Sequence, residues 1–138
     1  MVTFEFFTKE NISDINITVL INAFGDKVEI GYSGNDILES IQSGQSILVT
    51  CSDTDGYIGF FVLSEQQKFD GLELFIWVAH SVRPLTDSEI AEIMGVIQRV
   101  GLDINADRVT FSSYRNGWLR RAKNYGFKKI DVKYGVEL

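Results

Sequence analysis

The stretch GLELFIWVAHSVRPLTDSEIAEIMGVIQRV, residues Gly71–Val100, holds the strongest structural signals in the chain. It begins with a nearly continuous apolar run, Leu72–Ala79, rich in the β-branched and aromatic residues that a buried central strand needs. The loop that follows, His80–Leu85, contains the single proline of the sequence. Thr86 and Glu89 then stand at capping-box spacing and predict the start of a helix. Apolar residues recur along one face of this helix, at Ile90, Ile93, Met94, Ile97 and Val100.

This order of strand, loop and helix is typical of a site that binds an anion or a cofactor. The first amides of the helix point back toward the end of the strand and carry partial positive charge. Gly101 stands where the residue after a helix end is expected, so the helix should stop there. The unit is therefore the first place to look for a ligand in this chain.

The composition of the whole chain is that of one globular domain. Its 138 residues, 45% hydrophobic and 23% charged, predict a single domain over residues 1–138. No apolar run approaches the roughly 20 residues that a membrane span requires. Cys51 is the only cysteine, which fits a reducing compartment, and its place in an alternating strand indicates a small core residue. We therefore expect a cytoplasmic protein with no membrane partner.

The charges are distributed unevenly along the chain, whose net charge is −6. Residues 1–107 hold 5 Lys/Arg against 17 Asp/Glu, whereas residues 108–133 hold 8 Lys/Arg against a single acid. This contrast indicates either a site for phosphate, nucleic acid or an acidic partner, or a solvated face that pairs with the acidic body. Pairing is the more economical interpretation. Under the first one, the candidate interaction surface is Arg115, Arg120, Arg121 and Lys123.

The remaining patterns predict an α+β fold. Further strands are predicted at Thr3–Phe7, Ser46–Cys51, Tyr57–Leu63, Arg108–Ser112 and Phe127–Tyr134, and residues 28–30 fit either a connector or a brief strand. Further helices are predicted from Ser13 or Asp14 to Gly25, from Asn35 to Gly44, and over Gly117–Tyr125. Turns are expected at 52–56 and 66–71. An antiparallel meander that leads into a strand–helix–strand crossover gives a three-layer α/β/α domain around a mixed, mostly antiparallel sheet.

This element order resembles the GNAT fold of the Gcn5-related N-acetyltransferases over essentially the whole chain. Leu72–Ala79, with its loop and helix, resembles the family's acetyl-CoA segment. Arg108–Phe127, RVTFSSYRNGWLRRAKNYGF, resembles the family's strand, helix and closing Gly-Phe. The segments ELFIWVAHS and SSYRNGW also resemble small GNAT-like proteins of tailed phages, including an internal virion protein of short-tailed phages. The resemblance implies a GNAT-like protein of phage or mobile-element origin.

Two departures from the family's pattern point away from catalysis. The family holds the CoA pyrophosphate with amides of a loop patterned Gln/Arg-x-x-Gly-x-Gly/Ala, whereas the matching segment Ser81–Thr86 has no glycine. It also contains Pro84, which has no amide to donate. Asp87 and Glu89 place two carboxylates in the first helical turn, where they stabilise the helix but repel a pyrophosphate. Many family members have a tyrosine four residues before the Gly of Gly-Phe, and here that position is Ala122.

If the protein is an enzyme, the resemblance implies transfer of an acetyl group from acetyl-CoA to an amine. Either His80, the only histidine, or Glu73 would accept the proton of the amine. Seven positions separate these two residues, so on a regular strand they face opposite sides, and only a bulge would bring them together. Arg83 would meet a phosphate. The residues that would bind CoA are Val82, Arg83, Leu85, Thr86, Asp87 and Ser88.

Other kinds of site have little support in the sequence. One histidine and one cysteine fall short of a zinc ligand set, and no acidic cluster has calcium-loop spacing, so we expect no metal. Tyr114, Trp118 and Tyr125 interleave with basic residues, as in a stacking surface for nucleic acid. Trp118 and Tyr125 are more simply explained as the buried face of the last helix, which makes nucleic acid the weaker alternative.

The sequence therefore leaves two functions open. The favoured one is a non-catalytic GNAT-like protein, phage or mobile-element derived, that acts by contact with a virion or host protein. It would use no cofactor, and it would be cytoplasmic or lie within a phage particle. The alternative is an active acyl-CoA-dependent N-acetyltransferase with an atypical pyrophosphate loop, which would use acetyl-CoA.

Overall fold

The secondary structure consists of a sheet and two α-helices in the residues that the structure describes. A computed structural model of the chain describes residues 1–14, 34–112, 120–130 and 134–138. The strands are β1 (Thr3–Phe7), β2 (Ser46–Asp53), β3 (Gly56–Lys68), β4 (Gly71–Ser81) and β5 (Arg108–Phe111). The helices are α1 (Gly34–Gln42) and α2 (Asp87–Asp103), and short 3-10 turns lie at Ile12–Asp14 and Lys123–Tyr125.

The strands form one sheet in the order β1-β2-β3-β4-β5. The first three pairings are antiparallel and follow the order of the chain. The last pairing, β4 with β5, is parallel because α2 connects the two strands as a crossover. The predicted meander and crossover are therefore confirmed, and the sheet is mixed and mostly antiparallel.

The two helices cover opposite faces of this sheet. Met94 and Ile97 of α2 pack in one core cluster with Phe61 and its neighbours on the strands. Ile41 of α1 packs on the other face, in a cluster that includes Val62. Successive strand residues point to opposite faces, so Phe61 and Val62 belong to different clusters. The predicted three-layer arrangement is confirmed.

A bulge changes the direction of the side chains halfway along β4. Val62 of β3 pairs with Val78, but the next residue, Leu63, pairs with Ile76, so Trp77 is an extra residue on β4. Such a bulge shifts the two-residue alternation by one position. Ile76 accordingly lies in the cluster on the α2 face, whereas Val78 lies in the cluster on the α1 face.

Several predicted boundaries are wrong. β3 continues to Lys68 and β4 to Ser81, so His80 lies in a strand and not in the following loop. The turn predicted at 66–71 consequently shrinks to the two residues between β3 and β4. The described part of α1 already includes Gly34, which places Asn35 inside the helix rather than before it.

The end of α2 also differs from the prediction. Gly101 does not end the helix, which continues to Asp103 and is followed by the cap residue Ile104. Asn105, with φ of 59°, takes the left-handed conformation that was expected of the glycine. Gly101 is instead buried, with the Val109 and Leu74 side chains at ordinary contact distance from the position of its missing Cβ atom.

The last part of the chain departs furthest from the prediction. Residues 120–122 are helical, and the 3-10 turn after them stops at Gly126, whose φ is 84°. The predicted strand Phe127–Tyr134 is wrong where it can be described, because residues 127–130 and Tyr134 have no strand structure. Ile130, one of its apolar members, is 58% exposed.

Some predicted elements lie outside the described residues. These are most of the helix expected after Ser13 or Asp14, the brief strand at 28–30, and the first part of the helix expected at Gly117–Tyr125. Within the described ranges, no helix is long and apolar enough to cross a membrane. Cys51 is 2% exposed, which confirms it as a core residue.

Candidate functional site

At the candidate site, β4 continues past the end of its pairing with β5. On β4, pairing with β5 runs only from Glu73 to Ile76. The bulge at Trp77 follows directly, and β4 continues to Ser81. In the part of the chain that the structure describes, no strand pairs with the outer edge of β4 from Val78 onward. An extended ligand with amide groups can therefore hydrogen-bond along this edge, as an added strand would.

Ala79 lies beside this edge on the α2 face of the sheet. It pairs with Phe61, whose side chain belongs to the core cluster under α2, and directly opposed residues share a face. Ala79 is exposed, although it lies within β4. A larger side chain at this position would project from the α2 face of the sheet next to the strand edge.

Arg83 connects three segments at the start of α2. Its Nη2 atom is 2.7 Å from Glu89 Oε2 and 2.8 Å from Asp53 Oδ2, and its Nη1 atom is 2.9 Å from Glu89 Oε1. Nη1 also donates to the Pro84 carbonyl at 3.1 Å. The two-pronged contact with Glu89 holds the loop against α2. The contact with Asp53 links the same loop to the end of β2, beside the β2–β3 turn. Arg83, which was expected from the sequence to meet a phosphate, is thus bound to two carboxylates.

The start of α2 has the predicted capping box. Thr86 Oγ1 accepts a hydrogen bond from Glu89 N at 3.1 Å, and Thr86 N donates to Glu89 Oε1 at 2.9 Å. The first main-chain bond of the helix runs from Ile90 N to Thr86 O at 3.0 Å. The amides of Asp87 and Ser88 precede this bond, so they have no carbonyl partner inside the helix. These two amides are the groups at the helix start that can meet an anion.

The other predicted loop residues have structural roles. Val82 N donates to the Ile58 carbonyl at 2.8 Å and so continues the contact between β3 and β4. The side chain of Leu85 packs against the core cluster under α2. The amides of Val82 and Thr86 are therefore used within the chain, whereas those of Asp87 and Ser88 are candidate donors at the helix start.

The charged groups around the start of α2 stabilise one another in their ionised forms. Arg83, and then the Thr86 amide, lower the pKa of Glu89 from 4.5 to about 2. The Asp55 amide and Arg83 lower the pKa of Asp53. Glu89 and Asp53 in turn raise the pKa of Arg83. One arginine among these carboxylates leaves the site with a net negative charge at neutral pH.

Replacing Glu89 with glutamine is expected to lower the thermal stability of the protein at neutral pH. Glutamine retains the capping hydrogen bond but loses the charge that binds Arg83. Because the folded-state pKa of Glu89 lies below its unfolded value, the carboxylate stabilises the fold above about pH 4.5, and this contribution is lost as the pH falls through about 2. The melting temperatures of wild type and variant, followed by circular dichroism, should therefore converge in acid.

Asp87→Asn is the matched control for this experiment. It removes a carboxylate from the same helical turn. Within the described ranges, this carboxylate makes no ion pair. Its effect at neutral pH should be clearly smaller than that of Glu89→Gln. Equal effects of the two variants, or a Glu89→Gln effect that is the same at neutral and acidic pH, would contradict the role given to the Arg83 contact.

Glu73, one of the two predicted bases, is engaged in a structural network. It is 9% exposed, and its Oε1 and Oε2 atoms accept hydrogen bonds from Arg108 Nε at 2.9 Å and Thr110 Oγ1 at 3.2 Å. Arg108 also contacts Asp70 in the β3–β4 turn at 2.6 Å. Because both carboxylate oxygens are occupied and the network links β4 to β5, Glu73 serves to hold the two strands together.

His80 is the predicted base that lies near the opening. The bulge brings Glu73 and His80 to the same face of the sheet. From the sequence, such a bulge was the requirement for these two residues to act as a pair. Seven positions at roughly 3.3 Å each still separate them by about 20 Å, so they do not form a catalytic pair. His80 is half-buried, and its ring centroid is 5.6 Å from that of Phe60.

The predicted basic surface is present in part. Arg120, Arg121 and Lys123 are all exposed, whereas Arg115 lies outside the described residues. Ala122, at the position of the family's tyrosine, is 7% exposed. The ring of Tyr125 packs against the core cluster under α2, as expected for the buried face of the last helix.

Two other kinds of chemistry have no structural basis in the described part of the chain. No group of three or more His, Cys, Asp or Glu side chains could hold a metal ion in these ranges. Burial raises the pKa of the Cys51 thiol to about 11, so the thiol stays protonated at neutral pH and is a poor nucleophile.

Sequence reasoning missed two residues of the site, Asp53 and Ala79. Asp53 was assigned only to a turn, because its contact with Arg83 spans 30 positions of sequence. Placing the β2–β3 turn beside the end of β4, as the predicted meander requires, would have suggested the pair. Ala79 was counted as one more apolar residue of the strand, although its small size sets it apart from its large neighbours.

The fold of the chain matches solved acetyltransferase structures along its whole length. A probable acetyltransferase superposes with a TM-score of 0.70 at 10% identity, covering 100% of this chain and 97% of the other. A predicted acetyltransferase from Clostridium acetobutylicum, solved with acetyl-CoA, has a TM-score of 0.69 at 10% identity and coverages of 99% and 96%. An aminoglycoside acetyltransferase from an uncultured soil metagenomic sample, solved with sisomicin, has a TM-score of 0.70 at 6% identity and the same coverages.

These likenesses identify the fold. No protein-family model matches the chain, and no curated protein sequence matches it. At identities of 6–10%, the agreement in structure shows that the chain has the GNAT fold and is acetyltransferase-like in architecture. The predicted resemblance is thereby confirmed at the level of the fold, whereas the phage origin stays a prediction.

Proposed function

We propose that the protein is an N-acyltransferase that takes an acetyl group from acetyl-CoA bound beside β4. The observation that carries the proposal is that β4 continues through the bulge at Trp77 to Ser81, past the end of its pairing with β5 at Ile76. This leaves the outer edge of β4 beyond Val78 without a strand partner in the described residues. The pantetheine arm of CoA is an extended chain with two amide groups, and such a chain can hydrogen-bond to a strand edge.

The phosphates of CoA would meet the start of α2. The amides of Asp87 and Ser88 lie before the first main-chain bond of the helix, where they can donate to an anion. The carboxylates of Asp87 and Glu89 oppose such binding, and Arg83 offsets only part of this repulsion because its guanidinium already contacts Glu89. The proposal therefore includes an affinity for CoA that rests more on the arm than on the phosphates.

His80 is the group proposed to accept the proton of the amine. Nitrogen attack on the thioester carbonyl forms the new C–N bond and breaks the C–S bond, while the amine proton passes to the imidazole. The CoA thiolate then takes a proton from water, since Ala122 stands where the family's tyrosine would donate one. Glu73 has no part in this step, because Arg108 and Thr110 occupy its carboxylate.

Calorimetric titration of the purified protein with acetyl-CoA tests this function directly. We expect a dissociation constant in the micromolar range, on the order of −8 kcal/mol, and a rise in melting temperature with ligand. His80→Ala should retain this binding but lose acetyl transfer to amines. The transfer is measured by mass spectrometry on a panel of small amines and peptides. No heat and no stabilisation at millimolar acetyl-CoA would contradict the proposal.

A second candidate function is a non-catalytic GNAT-fold protein that acts by contact with another protein, such as a virion component. The specific observation in its favour is that Asp53 and Glu89 both bind Arg83, while Asp87 adds a third carboxylate in the first turn of α2. Arg83 is held by two of them, at 2.7 and 2.8 Å. Failure to bind acetyl-CoA would support this candidate.

A further inference from the structure

We propose that residues 120–129 form a docking surface for an acidic protein segment. The basic surface consists of Arg120, Arg121, Lys123, Lys128 and Lys129. Every one of these side chains is exposed, and residues 120–130 contain no acidic residue. This inference is independent of the proposed acetyl transfer, because it rests on a different part of the molecule.

The cations of the basic surface form no ion pair within the described residues. Outside this surface, Arg83, Arg99 and Arg108 all form ion pairs, with N–O distances from 2.6 to 3.3 Å. None of the five cations of the basic surface forms an ion pair with a residue in the ranges 1–14, 34–112, 120–130 and 134–138. The chain has 19 acids against 13 bases, yet no carboxylate in the described ranges forms an ion pair with this segment. The interpretation that residues 108–133 pair with the acidic body therefore holds for Arg108, which contacts Asp70 and Glu73, but not for these five cations within the described residues.

The basic surface is held on the body of the protein by its apolar residues. Ala122 is 7% exposed, and Tyr125 and Phe127 pack against the core cluster under α2. The ring of Phe127 meets that of Phe111 at the end of β5, edge to face, with a centroid distance of 5.2 Å. The segment thus presents its charges from an anchored backbone, which lowers the entropy cost of binding.

The chemistry of this surface fits an acidic protein segment better than nucleic acid. The rings of Tyr125 and Phe127 are directed into the core, so they are not free to stack on bases. Residues 1–107 carry 17 acids against 5 bases, and this body would repel a long polyanion that extends past the basic surface. A short acidic segment avoids that repulsion, and its carboxylates match the two-pronged geometry of Arg120 and Arg121.

A peptide-binding experiment tests the proposal. The probe is a fluorescein-labelled peptide of about 12 residues in which glutamate alternates with alanine, and binding to the full chain is measured by fluorescence anisotropy at low salt. The test variant is Arg120→Glu/Arg121→Glu. The matched control is Lys9→Glu/Lys68→Glu, which makes the same change in net charge at two exposed positions elsewhere. Circular dichroism verifies that both variants are folded.

We expect the test variant to weaken peptide binding by about tenfold or more and the control to change it by about twofold or less. No binding of the peptide by wild type would overturn the proposal. Equal losses in the two variants would also overturn it, because the effect would then come from overall charge. Tighter binding of a single-stranded oligonucleotide of equal length, with a steeper dependence on salt, would assign the surface to nucleic acid instead.

Discussion

Replacing Gly59 with alanine is expected to destabilise the protein by about 3 kcal/mol, at the upper end of the usual cost of overpacking. Gly59 lies on β3 opposite Ser81 of β4. A Cβ atom built on it would collide with the carbonyl oxygen of His80 and would stand 2.8 Å from the Cα atom of Ser81. Both neighbours are main-chain atoms, so no side-chain rotation relieves the collision and the two strands must move apart.

The separation of these strands should reach the candidate site. The next contact along the pair is the hydrogen bond from Val82 N to the Ile58 carbonyl at 2.8 Å, which leads into the loop before α2. Urea unfolding of wild type and variant, followed by circular dichroism, gives the difference in the free energy of unfolding.

Gly95→Ala is the matched control, because it adds the same methyl group where the structure has room for it. Gly95 lies in the interior of α2, and a Cβ atom there would meet nothing within 4 Å. This variant should be more stable than wild type by about 0.5–1 kcal/mol, since glycine is unfavourable within a helix. A loss of less than about 1 kcal/mol at Gly59 would mean that the two strands are not as close as the structure places them.

For α2, local signals in the sequence predicted the start of the helix better than its end. Thr86 and Glu89 predicted the start of α2, because a capping box is satisfied by residues three positions apart. The end of α2 could not be read from Gly101 in the same way. That glycine is buried against β4 and β5, and Asn105 supplies the left-handed residue. Whether a glycine ends a helix or lies inside it depends on what packs there.

The bulge in β4 was hidden by the composition of the strand. Leu72–Ala79 is apolar at nearly every position, so an inserted residue leaves no break in an alternating pattern. The register of β3 against β4 reveals it, because Leu63 pairs with Ile76 while Val62 pairs with Val78. The sequence alone could therefore state only that Glu73 and His80 share a face of the sheet if the strand contains a bulge.

The contacts that decide the chemistry of the site join residues far apart in sequence. Asp53 lies 30 positions from Arg83, and Glu73 lies 35 positions from Arg108. The sequence lists these charged residues, but only the order of the strands in the sheet brings the members of each pair together. The opposite failure occurs at the end of the chain, where Phe127–Tyr134 alternates as a strand does. Alternation favours a strand but does not supply the neighbouring edge that a strand needs.

Replacing Ala79 with phenylalanine is expected to weaken acetyl-CoA binding by about 100-fold, since a group built into the space that a ligand needs acts against it directly. Ala79 is exposed on the α2 face of β4, beyond the bulge and beside the strand edge that the proposed function assigns to the pantetheine arm. A phenyl ring there would project into the path that the proposal gives the arm between this strand edge and the start of α2.

The control is Gln67→Phe, which adds an aromatic ring to an exposed position near the β3–β4 turn, at the far end of the pair from the opening. Calorimetry with acetyl-CoA and thermal melting should be measured on both variants. We expect both to melt close to wild type, since neither residue is buried, and only Ala79→Phe to lose binding. If wild type binds acetyl-CoA and Ala79→Phe binds it equally well, the ligand lies elsewhere on the protein, and the open edge of β4 would lose the role proposed for it.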